Sequence, residues 1–310
     1  MEHDRPSSTA DGAALMRAVH RLLDRPPILD DPLAALLIGP ERKTVLQGDP
    51  SVFDTPELRR LRASIAVRSR YAEDCLAEAV ARGTRQYVIL GAGLDSFAYR
   101  NPFAADGLHV YEVDHPSTQA WKRERLAAAG VELPASLTFV SIDFERETIP
   151  EAMRRSGFDA GAATFISWLG VTVYLAREAV LRTLAWAASL GPGSEIVFSY
   201  VTTPAPERAG AAPVLSSLAA RAASHGEPWV TFFDPADLVR QLEQLGFAEV
   251  EDFGAAQAVA RYYGGRRDGL TSGGLGHLMR ARTRSEPAPA VTRAERGARV
   301  ERERNGMGGG

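Results

Sequence analysis

A single cysteine, Cys75, stands in 310 residues. An intrachain disulfide and a thiolate metal cluster are therefore excluded. Cys75 falls in a helical pattern, Tyr71-Ala72-Glu73-Asp74-Cys75-Leu76, where a small buried side chain is expected. Histidine offers no more to a metal: His20, His225 and His277 are scattered, no pair has ligand spacing, and no metal is expected. No apolar run reaches the roughly 18 residues of a membrane span, and residues 1–6 lack the basic and apolar regions of a signal peptide. A cytoplasmic location without a membrane partner is the expectation. Neither sign of charge dominates, and a net charge of −3 gives no electrostatic reason to bind nucleic acid. What remains, 45% hydrophobic and 24% charged residues, is the composition of a soluble globular protein. The length suits one large α/β domain or two small ones.

Residues 11–24 carry apolar positions at helical spacing (Ala14, Leu15, Ala18, Val19, Leu22), with Thr9 or Asp11 as a cap, and Pro26-Pro27 ends the pattern. A short helix follows through Leu33, Leu36 and Leu37, then a long one over 57–82 closed by Gly83. Residues 1–85 thus read as an N-terminal helical cap. From residue 86 strands and helices alternate. Strands are expected at 86–90, 108–113, 137–142, 163–168 and 194–201, with helices near 94–99, 116–129, 148–156 and 177–190. Apolar runs such as Val88-Ile89-Leu90 and Ile196-Val197-Phe198 predict a parallel sheet covered on both faces, a doubly wound α/β domain. Residues 202–228 interrupt the alternation as an insert with a small-residue helix around 213–224. A helix over 235–245 and strands at 247–253 and 275–282 complete the core, 86–283. Residues 284–310, poor in large apolar groups, read as a disordered tail.

The first strand runs into Gly91-Ala92-Gly93-Leu94-Asp95, and the acidic pair Glu112 and Asp114 ends the next strand about twenty residues on. Glycines let backbone approach a nucleoside-bearing ligand, and a carboxylate accepts from ribose hydroxyls. A dinucleotide fingerprint wants a glycine or alanine in the third slot, where Ser96 stands. Taken alone, the turn also fits a tight strand-to-helix connection with no ligand.

Several further segments agree in order: Ile28-Leu29-Asp30-Asp31-Pro32, Val67-Arg68-Ser69-Arg70-Tyr71, Ala98-Tyr99-Arg100, Tyr111-Glu112-Val113-Asp114-His115-Pro116, Ser141-Ile142-Asp143-Phe144, and Ser167-Trp168-Leu169-Gly170-Val171-Thr172-Val173-Tyr174. From about residue 8 to 283 the chain resembles the class I S-adenosylmethionine-dependent methyltransferases, specifically the leucine carboxyl methyltransferase-like family. The resemblance implies a Rossmann-like seven-stranded sheet and S-adenosyl-L-methionine as cofactor. It implies that Arg68 holds the methionine carboxylate, a task suited to a planar bidentate donor. The backbone of Gly91, Ala92 and Gly93 would lie against the methionine and ribose, Asp114 (rather than Glu112) would accept from the ribose, and Asp143 with Phe144 would contact the adenine. Solvated charge for Arg68 and Arg70, a surface cap for Asp114 and helix capping for Asp143 are the competing readings. Where the family often places an acid after the fourth strand, this chain has Leu169.

Methyl transfer is an in-line displacement that needs alignment and exclusion of water. An acceptor carboxylate needs no base, whereas a hydroxyl does. Trp168, Tyr174, His115 and Trp229 are candidates for the acceptor pocket, with turn or core roles as alternatives. The expected function is O-methylation of a carboxylate or hydroxyl on a small-molecule acceptor, a peptide carboxylate included. A nicotinamide-dependent oxidoreductase and a non-catalytic cofactor-binding relative are the alternatives.

Overall fold

The computed structural model describes residues 8–143, 146–203, 223, 228–271 and 276–285. Before the sheet come α1 (Ser8–Leu23), α2 (Ala34–Leu37), α3 (Pro40–Gly48) and α4 (Pro56–Ala81). In α1, Ala14, Leu15, Ala18 and Val19 are buried, the stripe by which an amphipathic helix packs on its neighbours, here α2 and α4. Thr9 and Asp11 lie inside α1 and do not precede it as caps; Asp11 accepts from the Gly39 backbone at 3.3 Å and pairs with Arg42 at 2.7 Å. The start of α4 is set by Thr55, whose hydroxyl accepts from the Leu58 N–H at 3.3 Å, and by Pro56, placed where a missing N–H costs nothing.

The sheet holds the seven expected strands: β1 (Gln86–Leu90), β2 (His109–Asp114), β3 (Leu137–Ser141), β4 (Thr164–Trp168), β5 (Glu195–Tyr200), β6 (Glu249–Phe253) and β7 (His277–Arg282). Their order is β3-β2-β1-β4-β5-β7-β6, with β7 antiparallel to both neighbours. Alternate residues of one strand enter opposite cores. Tyr87 and Ile89 pack with Tyr71, Cys75 and Leu76 of α4, while Val88 and Leu90 pack with Val180 and Leu184 of α7 (Arg177–Ala188). Two-sided burial is why these strands read as continuous apolar runs. The helices α5 (Pro116–Ala128) and α6 (Ile149–Arg155) fall where periodicity placed them. The helix expected at 94–99 is only a 3-10 turn, Phe97–Tyr99.

Phe144 and, except for Ala223, the expected helix at 213–224 lie outside the described residues, as do nearly all of 202–228 and most of 284–310. Among the described residues no helix is long and apolar enough to cross a membrane.

Strand direction decides where a ligand can sit. β1, β2, β4 and β5 run parallel, so their carboxyl ends share one edge, and antiparallel β7 brings its amino end, His277, to that edge. The strand order reverses direction between β1 and β4, where open α/β sheets bind ligands.

Candidate active site

A cavity of about 680 Å³ runs along this edge, roofed by α1 and α4. Its floor is the glycine turn. Gly91 N–H and Ala92 N–H donate to the Val113 carbonyl at 2.8 and 3.2 Å, and Gly93 N–H donates to Asp114 Oδ2 at 2.6 Å. Gly91 and Gly93 have φ of +65° and +47°, a region that side chains disfavour. A Cβ on Gly91 would stand 2.5 Å from Val171 Cγ2, and one on Gly93 would stand 3.0 Å from the Ala10 Cβ. Protein atoms, before any ligand, forbid side chains here.

The acidic pair divides its work. Glu112 is fully buried and held by Lys122 Nζ at 2.6 Å, outside the cavity lining. Burial pushes its carboxyl up to about 7, against the pull of Lys122. Asp114 lines the cavity. Its Oδ1 accepts from the His115 N–H at 2.7 Å, and burial raises its carboxyl despite that bond and the one from Gly93. Each oxygen keeps a second lone pair for a hydroxyl.

Arg68 enters from the middle of α4 and lies flat on the turn after β4. A Cβ on Gly170, whose φ is +75°, would meet Arg68 Nη1 at 2.7 Å. Arg68 Nε is buried without a hydrogen bond, and the guanidinium has no ion pair among the described residues. Burial pulls it down to about 10, the neighbouring charge of Arg17 acts in the same direction, and Tyr174 and Asp95 oppose the shift. The other arginines lining the cavity are compensated: Arg17 pairs with buried Asp31 at 2.9 Å and donates to the Leu94 carbonyl, and Arg42 pairs with Asp11. Arg70, by contrast, points to solvent and pairs with Asp74 at 2.7 Å.

Of the remaining candidates, Ala92, His115, Tyr174 and Trp229 line the cavity. His115 also caps α5, its Nδ1 accepting from the Ser117 N–H at 3.3 Å. Trp168 does not line it: β4 is buried throughout, and Trp168 packs beside Phe198 in the core at 6.4 Å between ring centroids. Asp143 is likewise absent from the lining and sits beyond β3, 3.4 Å from Arg146. Leu169 forms an apolar part of the wall where the family resemblance led one to look for an acid. Sequence reasoning missed Asp95, Ser199, Tyr263 and His277, which also line the cavity. The residue types of Asp95 and His277 are plain in the sequence, but their positions depend on a tight turn and on the cross-strand register of β6 and β7.

Comparison with known proteins agrees with this geometry. Residues 10–188 match the family model described as leucine carboxyl methyltransferase. A Bacillus subtilis protein with the provisional name S-adenosyl-L-methionine-dependent methyltransferase YktD is 31% identical, with 91% of this chain and 99% of that one covered. A Mycolicibacterium gilvum protein with the same provisional naming is 39% identical over 63% of this chain and 66% of its own. Among solved structures, one from Thermobifida fusca, provisionally a methyltransferase, superposes with a TM-score of 0.54 at 19% identity, covering 91% of this chain and 97% of that one, which bears on the fold alone. The chain belongs to the leucine carboxyl methyltransferase family and is an S-adenosyl-L-methionine-dependent methyltransferase.

Proposed function

We propose that the enzyme O-methylates a carboxylate or hydroxyl on a small-molecule acceptor, with the cofactor held across β1, β2 and β4. The observation that carries the reading is Arg68: a half-buried guanidinium facing the cavity, its Nε buried without a hydrogen bond and the group in no ion pair among the described residues. Isolated buried charge is costly, and an amino-acid carboxylate relieves that cost through two parallel hydrogen bonds. The residues present therefore fit S-adenosyl-L-methionine, which when bound supplies an electrophilic methyl group. Arg68 would hold its carboxylate, the backbone from Gly91 to Gly93 would carry the adjoining chain and ribose, and Asp114 would accept from the ribose hydroxyls. Asp143 and Phe144 are proposed near the adenine only by the family pattern. Leu169, Val171 and Val173 line the cavity as apolar groups that exclude water, which favours displacement at an aligned distance. Oxygen as the accepting atom follows the family's description, whose substrate group is a carboxyl.

Methyl-labelled cofactor incubated with the enzyme and an extract of small molecules tests the accepting atom. Label released as methanol by mild alkali marks an ester, and alkali-stable label on oxygen marks an ether; either supports the proposal. Label recovered on nitrogen or carbon would contradict it.

A further inference from the structure

The end of the cavity away from the glycine turn contains a hydrogen-bonded pair that the cofactor reading leaves unused. His277, the first residue of β7, lines the cavity, and its Nδ1 lies 2.9 and 3.0 Å from the two carboxylate oxygens of Asp252 on β6. Asp252 Oδ1 also receives the hydroxyl of buried Tyr200 at 2.7 Å. An ionised carboxylate can only accept, so Nδ1 carries the ring proton and donates it to Asp252. Nε2 is then the lone-pair nitrogen, and it makes no hydrogen bond among the described residues. The ring is fixed from below as well. It lies on Gly254, where a Cβ would meet His277 Cε1 at 2.8 Å and Nε2 at 3.1 Å. An imidazole with its tautomer set by a carboxylate and its other nitrogen left open is the arrangement of a proton acceptor.

The charges of the cavity point the same way. Its basic lining residues are Arg17, Arg42, Arg68, His115 and His277. Arg17 and Arg42 are paired with Asp31 and Asp11. With Arg68 given to the methionine carboxylate, no uncompensated arginine among the described residues is left for an anionic acceptor. Met16, Phe53, Leu58 and Leu61 from the N-terminal helical region, with Trp229, give the lining an apolar part, and its remaining polar groups are uncharged or acidic. Trp229 adds a buried indole N–H with no hydrogen-bond partner among the described residues.

We propose that the acceptor is an uncharged hydroxyl compound with an apolar body, and that His277 Nε2 accepts its hydroxyl proton. The inference rests on the methyl-transfer reading of this cavity and narrows it from carboxylate or hydroxyl to hydroxyl. As the acceptor oxygen forms its bond to the methyl carbon, the sulfur–carbon bond breaks and its electron pair stays on sulfur. The proton from oxygen passes to Nε2, leaving an imidazolium beside the Asp252 carboxylate. No further reactant is needed.

A matched pair of probes tests this by binding, without depending on turnover. Para-hexylphenol and para-hexylbenzoate share one apolar body and differ in whether the head is neutral or anionic at neutral pH. Each is titrated calorimetrically into the enzyme saturated with S-adenosylhomocysteine. The phenol is expected to bind about tenfold more tightly than the benzoate, and His277→Ala to remove about that factor for the phenol alone. Gly254→Ala, which pushes the ring without removing it, is expected to weaken the phenol in the same direction. S-adenosylhomocysteine affinity, measured separately, stays unchanged in both variants, so failure of the pair leaves the cofactor reading intact. Equal or tighter benzoate binding, no saturable phenol binding, or phenol affinity indifferent to both substitutions overturns the proposal. So does loss of S-adenosylhomocysteine binding in His277→Ala.

Discussion

Arg68 and Gly91 show how single residues divide binding from folding. Removing the guanidinium by Arg68→Ala is expected to weaken S-adenosylhomocysteine by about 1–3 kcal/mol, the cost of a lost charged hydrogen bond. Thermal stability should not fall, because the guanidinium makes no ion pair among the described residues and its Nε is buried without a hydrogen bond. Calorimetry beside a melting curve separates the two effects. Gly91→Ala acts through packing: at φ +65° and 2.5 Å from Val171 it is expected to cost about 1–3 kcal/mol of stability. Adding Val171→Ala should return part of that loss, since residues in contact are coupled. If the single and double variants denature at the same urea midpoint, the contact is not the cause. At this scale the sequence is informative where chemistry is local. Asp114 and Arg68 can be singled out by type and position, and the structure puts both on the cavity wall. Glu112 and Asp114 share a strand face, and only the arrival of Lys122 beneath the sheet separates buried partner from cavity wall. Trp168 misleads because an aromatic residue at a strand end looks the same whether it faces a cavity or a core.

At the scale of elements, the helices before the sheet are tied to each other by a buried charge cluster. Arg62 of α4 donates to Asp24, just beyond α1, at 2.8 and 2.9 Å, and His20 of α1 meets the same carboxylate at 2.7 Å. Burial would raise the Asp24 carboxyl, but the bonds from His20 and Arg62 and the charge of Arg62 outweigh it and hold it at about 2, against 3.8 as the ordinary value. A lowered acid stabilises the fold above its unfolded pKa, and the contribution is lost as pH falls through the folded one. The expected outcome is an acid-unfolding limb between about pH 4 and pH 2 that Asp24→Asn makes shallower. Arg62→Met leaves Asp24 underpaired and is expected to cost about 3 kcal/mol at neutral pH. A denaturation midpoint unmoved by Arg62→Met would show that the cluster does not anchor α4. The long helix and all seven strands are legible in the sequence, because amphipathic stripes and two-sided apolar runs are written over many residues. The helix Pro40–Gly48, the 3-10 turns and the helical turn Val259–Tyr263 are not, since one or two turns leave too few positions to show a period.

The molecule as a whole places residues far apart in sequence along one sheet edge: Arg68 from a helix, Asp114 and Gly170 from parallel strand ends, His277 from an antiparallel one. The insertion of β7 between β5 and β6 cannot be read from element order, and with it the pairing of Asp252 and His277 stays hidden in the sequence. A ligand bound across so many elements stabilises them together. S-adenosylhomocysteine at a hundred times its Kd is expected to add about 2.7 kcal/mol and raise Tm by about 4–8 °C, whereas NAD leaves Tm unchanged. A Tm raised by NAD alone would contradict the assignment of the cofactor. The central claim, that Arg68, which makes no ion pair among the described residues, holds the methionine carboxylate, is tested most directly by comparing two ligands on two proteins. Methylthioadenosine keeps the adenosine and sulfur of S-adenosylhomocysteine but lacks its amino-acid carboxylate. The wild-type enzyme is expected to prefer S-adenosylhomocysteine by about tenfold or more, and Arg68→Ala to lose most of that preference with methylthioadenosine affinity unchanged. A preference that survives intact in Arg68→Ala would contradict the claim.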